Sequence, residues 1–146
     1  MKKIYFGKSS SDIAYILSIG AYLLSLTQKC YCSTASCGDS IAVLFSGVIG
    51  VFLGGAGLTW LANPVLFASW FYRKREPLGA LLCSVAAMLI MLSFLFFKRI
   101  IADEAGSYEE IVAYKAGYWL WLSSAIVMTF SNIIYYFRPV KGDDIM

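Results

Sequence analysis

The chain contains no histidine among its 146 residues, and only 14% of its residues are charged. The absence of histidine excludes imidazole metal sites, haem ligation by histidine and histidine-activated nucleophiles. A soluble domain is about 25% charged and roughly 45–50% apolar. In this chain 60% of the residues belong to the apolar set AVILMFWYC, and the mean hydropathy is +0.70. The composition therefore indicates a membrane protein.

Four apolar stretches approach the roughly 20 residues that a helix needs to cross about 30 Å of hydrocarbon. They lie at about residues 13–27, 41–72, 78–98 and 113–137. We therefore predict an all-α, polytopic membrane protein whose single domain, residues 1–146, is a four-transmembrane-helix bundle. A cleaved signal peptide is the alternative for the first stretch, although no A-x-A cleavage site follows it.

Basic residues are distributed unevenly between the two sides of these spans. Eight lysines and arginines flank one side and four flank the other. By the positive-inside rule, this bias places both the N and C termini in the cytoplasm. Aromatic residues at the span ends, such as Trp70 before Arg73 and Trp119 at the start of the fourth span, agree with this orientation. We expect a multi-pass protein of the cell (inner) membrane that does not bind nucleic acid.

Two of the stretches are longer than a bilayer is thick. Residues 41–72 would form about 48 Å of unbroken helix, and Ser107–Glu110 resembles a helix cap well before the fourth span. Helices two, three and four are therefore expected to extend into a small extracytoplasmic lobe, covered by residues 28–40. Pro64 predicts a kink in helix two. Asn63 then either satisfies the carbonyl that Pro64 leaves free or contacts a pore or ligand.

Glycine recurs along the second stretch at intervals of three and four residues, at Gly47, Gly50, Gly54 and Gly57. On one helix these residues would form a stripe at which another helix backbone can approach closely in lipid. Small residues also recur on the first and third spans. The stripe predicts either packing within the bundle or a seam between two copies of the chain in a homo-oligomer.

Three of the four cysteines, Cys30, Cys32 and Cys37, fall in the outer loop, where an oxidising compartment permits a disulfide. Cys37 is expected to pair with Cys30 or Cys32, because C-x-C spacing is too tight for an easy internal bond. Cys83 lies on the third span, most of a bilayer away. A redox-active thiol, an intermolecular bridge or lipid attachment is the alternative, and the chain has no C-x-x-C motif.

The three later spans carry no acidic or basic side chain between their aromatic ends, whereas proton relays and ion-coupled carriers usually need such groups. The acids of the last outer loop are most simply a solvated surface, although they could attract cations. They are Asp103, Glu104, Glu109 and Glu110. We expect no catalytic residue, cofactor or metal site, and predict that the protein is not an enzyme.

Two runs of the sequence carry a resemblance to a known group. Gly57–Pro64 reads Gly-Leu-Thr-Trp-Leu-Ala-Asn-Pro, and Gly117–Ser123 reads Gly-Tyr-Trp-Leu-Trp-Leu-Ser. Over roughly helices two to four, the chain resembles small uncharacterised bacterial four-span membrane proteins. The resemblance implies a bacterial inner-membrane protein of the same architecture, with no established activity or active site. The cysteine-rich loop lies outside the matched part.

These patterns lead to three hypotheses of function. We expect an integral membrane protein that acts as a non-enzymatic subunit or scaffold and binds a membrane or periplasmic protein through its outer lobe or helix faces. The second hypothesis is a small oligomeric channel or pore former, such as a toxin-like or defence effector. The third is an outer-face thiol redox enzyme. In each case the lipid bilayer is the chain's immediate surroundings.

Overall fold

A computed structural model describes residues 6–102 and 105–137 of the chain. Helices make up most of this part. They are α1 (Phe6–Leu26), α2 (Ser40–Leu53), α3 (Ala62–Tyr72), α4 (Pro77–Ser93) and α5 (Ala116–Tyr136), with short 3-10 segments at Gly55–Leu61 and Phe94–Phe96. Four strands accompany them, β1 (Lys29–Ser33), β2 (Cys37–Asp39), β3 (Arg99–Ile101) and β4 (Tyr108–Tyr114).

Helices α1, α3, α4 and α5 form a bundle in which α1 and α5 run antiparallel. Ser11, Ser18 and Ser25 recur every seven residues on α1 and are at most 1% exposed. The Ser18 hydroxyl donates to the backbone carbonyl of Ser124 at 2.8 Å, and the Ser131 hydroxyl donates to that of Ser11 at 2.7 Å. Small side chains allow such close approach of two helix backbones. The serine row, rather than the glycines, therefore fixes the longest helix pair.

Two helical segments of the described chain are long and apolar enough to cross a membrane, Pro77–Phe96 and Ala116–Tyr136. Their inward faces meet the other helices in a core of Leu66, Met91, Tyr118 and Met128, each fully buried. Large apolar side chains such as Leu82 and Phe130 remain exposed, at 60% and 61%. The fold is thus mostly helical, with an apolar outer surface on its longest helices.

The expectation of an all-α fold is wrong, because the strands form an antiparallel sheet in the order β2-β1-β4-β3. The sheet joins the connection between α1 and α2 to the connection between α4 and α5, and its position defines the sheet end of the bundle. Ser107–Glu110 does not cap a helix, since Tyr108–Tyr114 is β4, one of the two inner strands, and α5 begins at Ala116. The predicted lobe therefore consists largely of this sheet.

The prediction of one long helix over residues 41–72, kinked near Pro64, is also wrong. The chain turns at Gly54 and Gly55, whose φ angles of 78° and 59° suit glycine because it has no Cβ. The 3-10 segment then runs back along α2, and residues 40–61 form what we call the α2 hairpin. Pro64 causes no kink, because it lies in the first turn of α3, where an amide hydrogen has no helical partner.

Arg73 lies at the other end of the bundle, which we call the Arg73 end, and is only 3% exposed. Its Nη2 donates to the Ser11 hydroxyl at 2.8 Å and to the Asp12 carboxylate at 3.0 Å. The guanidinium also lies over the rings of Tyr15 and Tyr135, 4.7 and 5.0 Å from their centroids. Arg73 therefore joins α3 to α1 and α5 through hydrogen bonds and cation–π contacts.

Asn132 on α5 makes a second polar junction, nearer the middle of the bundle. Its side-chain nitrogen lies 2.9 Å from the Ser69 hydroxyl, 3.0 Å from the Ala80 carbonyl and 3.1 Å from the Ser84 hydroxyl. These partners belong to α3 and α4. Three helices thus meet at one buried amide, whose NH2 group has its partners inside the protein.

Candidate functional site

A cavity of about 420 Å³ lies between the α2 hairpin, the sheet and the sheet end of the bundle. We call it the sheet-end cavity. Its volume falls within the roughly 300–1,000 Å³ typical of small-molecule sites. One wall is α2, another is formed by Tyr22 and Trp121 of the bundle, and the sheet contributes residues such as Tyr31 and Glu109. Three parts of the fold that are distant in sequence therefore enclose one space.

Most of the residues singled out from the sequence converge on this cavity. Its lining contains Cys30, Gly47, Gly50, Gly54, Gly57 and Asn63. The remaining three, Cys32, Cys37 and Pro64, are not part of the lining. The glycine, kink and cysteine motifs thus belong to one region of the fold, although their sequence patterns give three separate signals.

The glycines do not form one stripe on one helix. They line the cavity because they lie in the α2 hairpin, where they allow its two arms to pack together. A Cβ added at Gly57 would lie 2.1 Å from the carbonyl oxygen of Gly50, so the two arms touch through their backbones. At Gly47 a Cβ would lie 2.0 Å from the ring of Trp60. Gly54 has open space around it and instead makes the turn. The packing role is thus filled within the hairpin by Gly47, Gly50 and Gly57.

Asn63 connects three helices at the floor of the cavity. Its Oδ1 accepts hydrogen bonds from the Tyr22 hydroxyl at 3.1 Å and from the Trp121 indole at 2.8 Å. Its Nδ2 donates to the carbonyl of Trp60 at 3.0 Å. The amide therefore bonds one turn back in its own segment, as expected from its position before Pro64, and also bonds α1 and α5.

The cysteines divide into a closed pair and a free thiol. Cys32 and Cys37 oppose each other on β1 and β2 and form a disulfide, which selects one of the two expected pairings. Cys30 is free and packs against the core. Burial raises the pKa of the Cys30 thiol to about 11, an increase that the neighbouring Ser40 hydroxyl partly opposes. Because the thiolate is the reactive form, Cys30 is a poor nucleophile at neutral pH.

The described acids at the sheet end have partners within the protein. Glu109 accepts a short hydrogen bond from the Ser33 hydroxyl. Exposed ion pairs join Asp39 to Lys29 at 3.3 Å and Glu110 to Arg99 at 3.6 Å. Asp103 and Glu104 lie outside the described residues. Among the described residues of the cavity lining, Glu109 is the one acidic side chain, and none is a lysine or an arginine.

Sequence reasoning misses Ser40 and Trp121 as members of the site. The aromatic pattern assigns Trp121 to the aromatic residues at the outer end of the fourth span. It does not predict the hydrogen bond from Trp121 to Asn63. Ser40 begins α2 and is 8% exposed, and its hydroxyl lies beside the Cys30 thiol. Only the fold, which packs Ser40 against Gly117, could identify it.

The cavity lining in the described part of the chain is rich in apolar and aromatic side chains. No group of three cysteine, aspartate or glutamate side chains there is close enough to hold a metal ion. The cavity instead offers an apolar wall, indole and phenol rings, and serine and threonine hydroxyls. Comparison with known proteins finds no matching family model, no similar curated protein and no similar solved structure.

Proposed function

We propose that the chain is a four-span protein of the inner membrane, with the sheet end outside and both termini in the cytoplasm. Its 21-residue α1 is about 31 Å long, at 1.5 Å per residue. The continuous helical path Gly55–Tyr72 is about 30 Å long, because 3-10 residues rise about 2.0 Å each. Both lengths match the roughly 30 Å hydrocarbon core. Together with the two apolar segments already described, they supply four spans.

The 14 residues of α2 make about 21 Å of helix, too short to cross a bilayer. Charged residues lie near both of its ends: Asp39 precedes it, and Leu53 lines a second pocket together with Lys98 and Arg99. Its outward side chains are nonetheless apolar, with Phe45 at 73% and Phe52 at 87% exposed. We place α2 at the outer membrane boundary, where its apolar face contacts lipid.

The function that we propose is that of a non-enzymatic subunit or scaffold whose sheet binds a membrane or periplasmic protein. The outward face of β4 carries this proposal. Tyr108 and Val112 on that face are each 67% exposed, and they flank the Glu110–Arg99 ion pair. An aromatic and an apolar side chain around a charged pair is a composition typical of protein interfaces.

A photo-crosslinking residue in place of Val112 tests this proposal in cells. We expect one adduct of defined mass, and a smaller yield when Tyr108→Glu is also introduced. The same residue in place of Ile111, whose side chain packs against the core, should give no adduct. Absence of an adduct at Val112, or equal yields at both positions, would contradict the proposal. An adduct of twice the chain's mass would favour the oligomeric pore.

The membrane orientation has its own test. Val112→Cys should react with an impermeant maleimide in intact cells, whereas Lys74→Cys, exposed at the other end of the bundle, should react only after lysis. The reverse pattern would contradict the proposed topology. The resemblance to small bacterial four-span proteins stays a prediction. The proposed orientation is consistent with it.

The thiol enzyme remains as an alternative because Cys30 lies two residues from a disulfide on the same strand. The raised pKa of Cys30 favours the scaffold, since its thiol is protonated at neutral pH. In a Cys83→Ser background, we expect the alkylation rate of Cys30 by iodoacetamide to rise with pH up to about 11. At pH 8 the rate should be about a hundredfold below that of an ordinary thiol. Fast alkylation with an inflection below pH 8 would favour the enzyme.

A further inference from the structure

The disulfide of the sheet end fastens a short segment at the edge of the sheet. Cys32 lies on the inner strand β1, and Cys37 begins β2, an edge strand of three residues. The pairing of β1 with β2 is irregular, since its register shifts between Lys29 and Tyr31. We call residues 36–40, which comprise β2 and its two neighbours, the strap. The disulfide is the covalent bond that joins this strap to the rest of the sheet.

The strap forms part of the wall of the sheet-end cavity. Ser36, Gly38 and Ser40 belong to the cavity lining. Cys30 lines the same cavity, and the Ser40 hydroxyl lies beside its thiol. The Ser40 amide donates to the carbonyl of Gln28 at 3.0 Å, which fixes the end of the strap. Displacement of the strap would therefore widen the cavity and uncover the Cys30 thiol.

The noncovalent bonds of the strap are few compared with what the disulfide supplies. The ion pair of Asp39 with Lys29 has side chains that are 64% and 55% exposed, and exposed pairs contribute little stability. The disulfide closes a loop of six residues between positions 32 and 37. In the chain-entropy relation, closing such a loop favours the closed state by about 40-fold. Loss of the bond should therefore allow the strap to open locally.

The two halves of the disulfide differ in their access to solvent. Cys37 is exposed, whereas Cys32 is 9% exposed. A thiolate that approaches from solvent therefore reaches the Cys37 side of the bond first. Exposed disulfides are more readily reduced than buried structural ones. The bond that holds the strap is thus open to a reductant while the chain is folded.

We propose that the Cys32–Cys37 disulfide is a redox switch, which holds the strap closed when oxidised and releases it when a protein dithiol reduces it. One thiolate of the dithiol attacks the Cys37 sulfur and forms a mixed disulfide, and Cys32 leaves as a thiolate that takes up a proton. The second thiol of the dithiol then attacks the dithiol's own sulfur in the mixed disulfide and releases Cys37 as a thiol. Two electrons and two protons pass to this chain, and the dithiol becomes a disulfide.

The meeting with such a dithiol rests on the proposed position of the sheet end outside the membrane. The opening of the strap rests only on the contacts around the disulfide. Its tests use the purified full chain, so they can fail or succeed independently of the proposed orientation and of partner binding.

The alkylation rate of Cys30 measures the opening. In Cys83→Ser, Cys30 is the single free thiol, because Cys32 and Cys37 are joined. Adding Cys32→Ala and Cys37→Ala removes the switch and again leaves Cys30 as the single thiol. Since the expected shift in the closing equilibrium is about 40-fold, alkylation by iodoacetamide at pH 8 should become at least tenfold faster. A smaller increase would show that the disulfide is a static staple and would overturn the proposal.

Unfolding of the whole chain would also uncover Cys30, and Cys83 on α4 reports such unfolding. In Cys30→Ser, the substitutions Cys32→Ala and Cys37→Ala should leave the alkylation rate of Cys83 unchanged within about twofold, because local opening does not reach α4. An acceleration of Cys83 as large as that of Cys30 would overturn the proposal, since the disulfide would then hold the entire fold.

Reduction of the wild-type chain by dithiothreitol provides a test without substitutions. Amide hydrogen exchange of Ser40, whose N–H bonds to Gln28, should become at least tenfold faster after reduction. The Lys115 amide is the matched control, because it donates to the Cys30 carbonyl at 2.9 Å beside the end of β4. Its exchange rate should not change. Equal acceleration of both amides, or reduction only after unfolding in SDS, would overturn the proposal.

Discussion

The two ends of the bundle are held together by different forces. At the Arg73 end and in the middle of the bundle, buried polar side chains bridge the helices. Arg73 reaches Ser11 and Asp12, and Asn132 reaches α3 and α4. At the sheet end, the α2 hairpin is closed by backbone contact between glycines, with one indole bond from Trp60 to the carbonyl of Leu44 at 2.7 Å. Specific polar bonding thus fixes the first region. At the sheet end glycine packing closes the α2 hairpin, and polar bonding is confined to the cavity floor, where Asn63 bonds Tyr22 and Trp121.

The difference explains why the cavity lies where it does. Polar junctions draw helices together at chosen points and leave little space between them. The α2 hairpin is closed by contacts between glycine backbones. Its first arm, α2, makes few polar bonds to the bundle. The space between α2 and the bundle therefore stays open, and Ser40 lies at its edge.

The largest expected effect comes from separating the arms of the hairpin. Gly57→Ala places a methyl group 2.1 Å from the carbonyl oxygen of Gly50, and backbone cannot move aside as a flexible side chain can. We expect the free energy of unfolding in detergent to fall by about 3 kcal/mol. Gly20→Ala is the control, since nothing lies within 4 Å of that position on α1. A loss below about 0.5 kcal/mol for Gly57→Ala would show that the arms do not touch.

Asn132→Ala tests the polar side of the comparison. The substitution removes one amide that reaches three acceptors on α3 and α4. We expect a loss of about 2 kcal/mol in the same titration, at roughly 0.6 kcal/mol for each hydrogen bond between helices. Ser123→Ala on α5, an exposed position, should change stability by less than about 0.5 kcal/mol. Equal effects of the two substitutions would mean that the buried amide contributes no specific stability.

The sequence predicts the long helices well, because α1, α4 and α5 coincide largely with apolar runs. The hairpin is a different case. Glycines at intervals of three and four suit a helix stripe, and the same glycines permit a turn, so local pattern alone cannot choose between them. Gly54 and Gly57 therefore indicate either a close helix contact or a turn, and the sequence does not distinguish the two. The break is decided by contacts with Trp60 and Gly50, which form only after the chain folds back.

The sheet and the cavity escape prediction for a related reason. The run Tyr108–Tyr114 alternates exposed and half-buried side chains, a strand signal, but Ser107 and Glu110 also match a helix cap. Pairing with β1, about 80 positions earlier, stabilises the strand. Local propensity cannot predict a pairing between segments so far apart in the sequence. Ser40 and Trp121 line one cavity although they are about as far apart in the sequence. The site residues are thus predictable as motifs, but their convergence is not.

The smallest effects compare the two kinds of ion pair. Asp12 pairs at 3.0 Å with Arg73, whose side chain is 4% exposed, whereas Asp39 and Lys29 are 64% and 55% exposed. Asp12→Asn keeps an acceptor oxygen but leaves the buried guanidinium without its counter-charge. Since the Asp12 side chain is itself 47% exposed and Ser11 still bonds Arg73, we expect a loss of about 1 kcal/mol in the detergent titration.

Asp39→Asn should change stability by less than about 0.5 kcal/mol, because water screens an exposed pair and its long lysine loses rotamer freedom when it is held. Repeating both titrations in 0.5 M salt separates the two cases, with exposed charges screened more strongly than a buried one. The difference between Asp12→Asn and wild type should persist in salt, whereas that for Asp39→Asn should vanish. If Asp39→Asn were the more damaging substitution, surface charge rather than glycine packing would hold the sheet end, and the contrast between the two ends would fail.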